Sequence, residues 1–122
     1  MSASPVPSSR LLVRTALDHR EPERVPVDFG GTPTSGIHVS CVKALRDWLG
    51  LEKRPVKVHE PYQMLGWIDR DLKEALGVDT EAVFPYGTLF GFPNRGWKEW
   101  RSPWGQDLLV PRDFKVTRDP SG

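Results

Sequence analysis

Four groups of residues have types and spacings that could carry chemistry. Asp28 and the pair Gly30-Gly31 close a short apolar run, Val25-Pro-Val-Asp-Phe29, and the glycines would let the backbone approach a ligand closely. His38 and Cys41 stand three residues apart and His59 follows, a set of residue types that zinc can use. Glu60-Pro-Tyr-Gln63 brings an acid together with Tyr62 and Gln63, either of which could reach a ligand. Trp97, Trp100 and Trp104 in WKEWRSPW could form a stacking platform.

Each group also has a plainer reading. Asp28 and the glycines fit an ordinary turn between a strand and a helix. A free cysteine on an apolar helix face is a small core residue, and His38 beside a helix start is a polar group facing the loop mouth. Glu60 near a helix start complements the helix dipole. Tryptophans on short strands pack a hairpin against the body of a domain. Phe90-Gly-Phe-Pro-Asn-Arg95 reads as a lid over a pocket or as a linker. No nucleophile–base pair, no GxxxxGK phosphate loop and no cysteine pair is present, so these residues assign no catalytic group and no metal site.

The elements that would position these groups follow from periodicity. Leu12, Val13, Ala16 and Leu17 predict a helix over Arg10 to His19, capped by Ser9. Val25, Val27 and Phe29 alternate, predicting a buried strand over Arg24 to Phe29. Ile37, Cys41, Leu45 and Leu49 recur every four residues, a helix from Gly36 to Leu49 that ends at Gly50. A short extended piece fits Val56 to Val58. Pro61 at a first helical position, with Leu65, Ile68, Leu72 and Leu76, predicts a third helix from Glu60 to Gly77, with Gly66 its weak spot. Thr80 to Phe84 reads as a second strand, ended by Pro85. Beyond it, Trp97–Arg101, Gln106–Val110 and Phe114–Thr117 read as antiparallel strands, a hairpin region over 97–118. A strand–helix–strand rhythm predicts the α/β class with a parallel sheet. Residues 1–8 are read as a flexible leader, followed by one domain over 9–122.

Composition bounds the function classes. The chain has 122 residues, 38% apolar and 27% charged, with a net charge of +1: a globular composition without the basic stripe of a nucleic-acid binder. One cysteine rules out an intrachain disulfide. No apolar run nears the roughly 18 residues of a membrane span. MSASPVPSSR has no apolar core of a signal peptide, so a cytoplasmic location is expected.

Three stretches carry a family resemblance: ALDHREPERVPVDFGGTPTSGIHVS, PVKVHEPYQMLGWIDRDLKEALGVDTEAVFP and GFPNRGWKEWRSPWGQDLLVP. In this order they resemble the opening of the uroporphyrinogen decarboxylase superfamily, and more closely its corrinoid-dependent methyltransferase branch. The resemblance implies the N-terminal part of a (β/α)8 barrel, a fold of typically about 250 residues with its active site at the C-terminal ends of the strands. It makes Val25–Phe29 the first barrel strand and Thr80–Phe84 the second, and puts Asp28, Gly30, Gly31 and Pro85 at the barrel mouth. For the parent enzyme it implies zinc and a corrinoid, with a tetrapyrrole or corrinoid substrate or a corrinoid protein as partner.

The departures from the family pattern set the chemistry. Decarboxylases of the family carry an Arg-Gln-Ala-Gly-Arg loop after the first strand, whose arginines pair with substrate carboxylates. Here the loop reads Asp28-Phe-Gly-Gly-Thr-Pro-Thr34. They also place a catalytic aspartate just after the second strand, where this chain has Phe84-Pro85-Tyr86. The lost arginine contacts are each worth roughly 1.5–3 kcal/mol. The expectation is therefore a methyltransferase-like enzyme. The alternatives are a genuine decarboxylase and a non-catalytic binding module.

A parallel sheet of two or three strands with bare edges would aggregate, so a piece of a longer barrel is expected. By itself the chain should be poorly soluble or molten. A sharp, cooperative melt of the monomeric 122-residue chain would overturn that expectation.

Overall fold

The computed structural model describes residues 6–121; residues 1–5 of the expected leader, and Gly122, lie outside the described residues. Helix α1 spans Ser9–Leu17. Its cap is Ser8 rather than Ser9: the Ser8 hydroxyl accepts the Leu11 N–H at 3.2 Å, and Ser9 Oγ donates instead to Asp79 at 2.6 Å. Of its apolar row only Leu12 is fully buried.

Helix α2, Val39–Trp48, starts later than the periodicity suggested because His38 is its cap. Its buried face is Val39, Val42 and Arg46, rotated away from the expected row, and Cys41 is exposed. Arg46 is on the buried side because both its terminal guanidinium nitrogens are paired, while Nε has no partner among the described residues. Its guanidinium donates to both Asp71 oxygens at 2.8 and 2.9 Å and to the Glu52 carbonyl at 2.7 Å. Arg54 reaches the same Asp71 at 2.7 Å. This network ties α2 to helix α3, Arg70–Leu76, which ends at Gly77 in the left-handed region.

A four-stranded mixed sheet lies against the helices. Strands β1 (Val56–Glu60), β2 (Leu65–Gly66), β3 (Lys98–Arg101) and β4 (Asp107–Val110) run in the order β2-β1-β4-β3. β1 and β4 are parallel, and the outer pairs are antiparallel. The core lies between sheet and helices, from Val42 and Leu72 to Val58, Leu108 and Val110, all essentially inaccessible. β3 and β4 form the expected hairpin, turning at Ser102–Gly105, with Gly105 at φ 83°. Its tryptophans hold it to the body: Trp100 meets Phe114 edge-on at 5.1 Å, and Trp104 packs on His38 at 5.3 Å. Gln106 Nε2 donates to the Val39 carbonyl at 3.0 Å from a buried position. The edges are not bare in the way the sequence suggested: β2 is two residues long and β3 carries Lys98, Glu99 and Arg101.

Four expected elements differ, each for a local reason. Val25–Phe29 is not a strand, since Pro26 has no N–H and the Val27 N–H is taken by the Asp79 carboxylate at 2.8 Å. Thr80–Phe84 forms no ladder either; Asp79 N–H meets the Val27 carbonyl at 2.8 Å, and no backbone pairing continues beyond it. Phe114–Thr117 has no strand partner, and the Phe114 side chain goes into the core instead. The third helix is halved. Glu60 accepts the N–H groups of Tyr62 and Gln63 at 2.9 and 2.7 Å, Met64 sits at φ 54°, and the chain folds back as β2 before α3 begins. Glu60 thus caps a turn, not a helix. The parallel pairing exists, but between β1 and β4.

Gly66 decides between the two readings of this segment. A Cβ on it would stand 2.6 Å from Val42 Cγ2 and 2.9 Å from Val56 Cγ1, both on buried residues. In an exposed helix, Gly66→Ala would stabilise by about 1 kcal/mol. In the β2 position it should destabilise by about 1–3 kcal/mol through overpacking. Amide hydrogen exchange of β1 and β2 reads the sign: faster exchange is expected, and slower exchange would contradict the strand.

Candidate functional site

β1 and β2 do not keep a regular register. Val58 faces Gly66 and Glu60 faces Leu65, so His59 is one residue too many on β1. Such a bulge re-aims a side chain and strands a backbone carbonyl. Both effects occur here. Val58 and His59 are buried in succession, against the strict alternation of a flat strand. The His59 carbonyl accepts the Asn94 side-chain amide at 3.0 Å.

The His59 ring stacks on Phe84 with centroids 4.5 Å apart and meets Trp67 edge-on at 6.2 Å. It is 4% exposed, and the side-chain hydrogen bond made to this residue among the described ones goes to its carbonyl, not to its ring. Burial pushes its pKa below the ordinary 6.5, and the neighbouring Glu60 charge opposes this more weakly.

His59 lines a cleft of about 510 Å³, inside the range usual for small organic ligands, roughly 300–1,000 Å³. Tyr62, Gln63 and Glu60 form one side, from the turn that follows the bulge. Phe84, Pro85, Gly87, Thr88, Leu89 and Asn94 form the other. The second side is a loop closed on itself: Thr88 N–H donates to the Phe92 carbonyl at 2.8 Å, and Asn94 N–H to Tyr86 at 3.3 Å. Most of the wall is apolar, and no Lys or Arg lines it. Asn94 Oδ1 and Thr88 Oγ1 are buried without a hydrogen-bond partner among the described residues. A stranded polar atom of this kind costs about 1–3 kcal/mol.

Of the residues singled out from sequence, His59, Glu60, Tyr62, Gln63 and Pro85 line this cleft, whereas Asp28, Gly30, Gly31, His38 and Cys41 do not. Asp28 accepts the Thr80 hydroxyl at 2.7 Å. Gly30 is buried at φ 78°, and a Cβ there would collide with Ile68; one on Gly31 would collide with the Asp28 carboxylate. These glycines therefore serve close packing within the loop. His38 Nδ1 accepts the Ser40 N–H at 3.2 Å and lies 2.8 Å from Ser40 Oγ, the local bonding of a cap. His38, Cys41 and His59 do not converge, and the described residues hold no cluster of three or more His, Cys, Asp or Glu fit for a metal ion.

From sequence His59 is only a zinc candidate and Thr88 carries no signal, while Asn94 lies in the Phe90–Arg95 stretch expected to be a lid or a linker and lines the cleft. The available signal was a histidine directly after the alternating Val56-Lys-Val58, at the C-terminal end of a strand. No helix among the described residues is long and apolar enough to cross a membrane. No protein-family model, curated protein or solved structure matches the chain.

Acid should unfold the chain in two stages. Because the folded-state pKa of His59 lies below its unfolded value, the unfolded chain takes up this proton first. The associated stability is complete above about pH 6.5 and drains as pH falls from there towards the folded-state value. Arg46 and Arg24 hold the carboxyls of Asp71 and Asp79 far below the usual 3.8, so their contribution is lost only as pH falls below that value. Urea midpoints between pH 8 and 5 should fall for the wild type and stay nearly level for His59→Phe. Equal slopes for the two would refute the assignment.

Proposed function

We propose that this chain forms part of a uroporphyrinogen decarboxylase-superfamily barrel enzyme that is methyltransferase-like and cytoplasmic, acting on a corrinoid-bound methyl group, and that the cleft beside His59 is one wall of its substrate pocket. The observation that carries this reading is the adjacency of two segments. Arg24 donates to both Asp79 oxygens at 2.7 and 2.8 Å, Val27 and Asp79 exchange two hydrogen bonds, and Thr80 reaches Asp28. These are the segments that the resemblance reads as the first and second barrel strands, which are neighbours in a (β/α)8 barrel. The cleft opens just past the second of them, at Phe84 and Pro85.

The lining favours methyl transfer over decarboxylation. Uroporphyrinogen is held through its carboxylates, and the cleft offers them no cation while presenting Glu60. Where the family's decarboxylases keep an aspartate, Phe84 covers His59. The corrinoid would supply the methyl group. This chain's residues exclude water with Phe84, Pro85 and Leu89 and orient the small reactant against the imidazole edge. Its described residues do not fit zinc, so its part is the pocket wall.

The test is to give the complete protein methylcobalamin with a thiol and, separately, uroporphyrinogen. Thiol methylation without coproporphyrinogen is expected. Coproporphyrinogen formation would replace this reading with decarboxylation, and corrinoid binding without turnover would replace it with a binding module.

A further inference from the structure

The cleft has a chemical character that narrows its ligand. It is walled by Phe84, Pro85 and Leu89, with Tyr62 at its rim beside Phe90 at 6.5 Å between ring centroids. Such a wall takes a flat, apolar body. It has no Lys or Arg and one acid, Glu60, whose oxygens already accept two backbone N–H groups. An anion would enter without a counter-charge. Asn94 gives one amide N–H to the His59 carbonyl and keeps Oδ1 as an acceptor without a partner among the described residues, and the Thr88 hydroxyl is likewise unpartnered there. His59 belongs to the same wall; it is more than nine-tenths buried, and its ring nitrogens make no hydrogen bond among the described residues.

We propose that the cleft at the β1 bulge binds an uncharged, flat small molecule that carries an N–H or O–H donor, and that His59 accepts this hydrogen bond. The proposal rests on reading the cleft as the substrate pocket, and it names the class of the smaller reactant. His59 is held in place by three features: the bulge turns it inward, Phe84 stacks on its face and Trp67 stands nearly perpendicular to it. An anionic analogue of the same shape is disfavoured by the lack of a counter-charge. A donor-less analogue of the same shape keeps the stacking but loses the hydrogen bond.

Three probes of one shape separate these effects: indole, 1-methylindole and indole-3-carboxylate, titrated into the full chain with binding followed by NMR. Indole should bind about 5–10-fold more tightly than 1-methylindole, the factor expected for one hydrogen bond. It should also shift a His59 ring-nitrogen resonance that 1-methylindole leaves in place. Indole-3-carboxylate should be the weakest. His59→Phe preserves an aromatic stack and should erase the preference for indole. Tyr62→Ala, at an exposed rim position, should weaken indole and 1-methylindole alike and keep the preference. If His59→Phe does not fold, the wild-type nitrogen shift and the Tyr62 variant decide. Equal binding of indole and 1-methylindole, tighter binding of the carboxylate, or no binding of any probe at millimolar concentration would overturn the proposal. Loss of methyl transfer with indole preference intact would sink the enzymatic reading alone. Turnover without that preference would sink this inference alone.

Discussion

Between Val58 and Glu60, β1 carries one residue more than the strand it faces, and the site is built around that surplus. In a flat strand His59 would share a face with Lys57, which is only half-buried. The bulge turns it inward, between Phe84 and Trp67. It also frees the His59 carbonyl, which Asn94 occupies, so the loop over 86–94 is fastened to the irregularity itself. Glu60 then stands where its carboxylate can cap the turn that leads to β2. Imidazole, loop wall and turn wall thus share one origin. The cost is spread over small terms: a broken ladder, a desolvated imidazole and two stranded oxygens.

The most perturbed carboxyls lie elsewhere, and they hold structure. Strongly shifted ionisable groups often mark active sites, but ion-pair networks shift them as well. Asp79 is 1% exposed at its side chain and accepts from Arg24, Ser9 and the Val27 N–H, joining α1, the 24–28 loop and the end of α3. Asp71 fastens α2 to α3 through Arg46 and Arg54. Neither aspartate lines the His59 cleft. What distinguishes His59 is that its shift comes mainly from burial with no partner paired to its ring, whereas the aspartates are shifted by partners already in place.

Local pattern was legible wherever neighbours in sequence are also partners in space. The α2 helix, though not its fully buried face, and the β3–β4 hairpin are such cases, and their boundaries moved by only a few residues. It misled where a distant group decided. Val25-Pro-Val-Asp-Phe29 alternates like a strand, yet a carboxylate more than fifty residues away takes the Val27 N–H. Leu65, Ile68 and Leu72 repeat like a helix, yet Gly66 lies under Val42 and Val56, where no side chain fits. The site divides in the same way. Tyr62 and Pro85 were reached through their positions beside turns and strand ends. The place of His59 in the cleft and that of Thr88 were not, because a bulge leaves no periodic mark and a loop's partner is not written next to it.

The apolar surface gives the proposed barrel its physical content. Val25 and Val27 on one segment, and Val83, Leu89 and Phe90 on the other, are exposed, with Val83 at 92% and Leu89 at 77%. Single exposed apolar residues are ordinary, but here they lie on the two adjacent segments and on the cleft wall that continues the second. A strand flanked on both sides in a closed barrel would cover such residues and would give Val25–Phe29 and Thr80–Phe84 the ladder partners they lack. The same closure would narrow the mouth beside Phe84 and Pro85 and strengthen any hydrogen bond made to His59, since water would leave one more side of the cleft. The surplus residue in β1 would then act in two steps: it sets His59 in the wall of the cleft, and the proposed covering of the neighbouring segments would sharpen what that wall accepts.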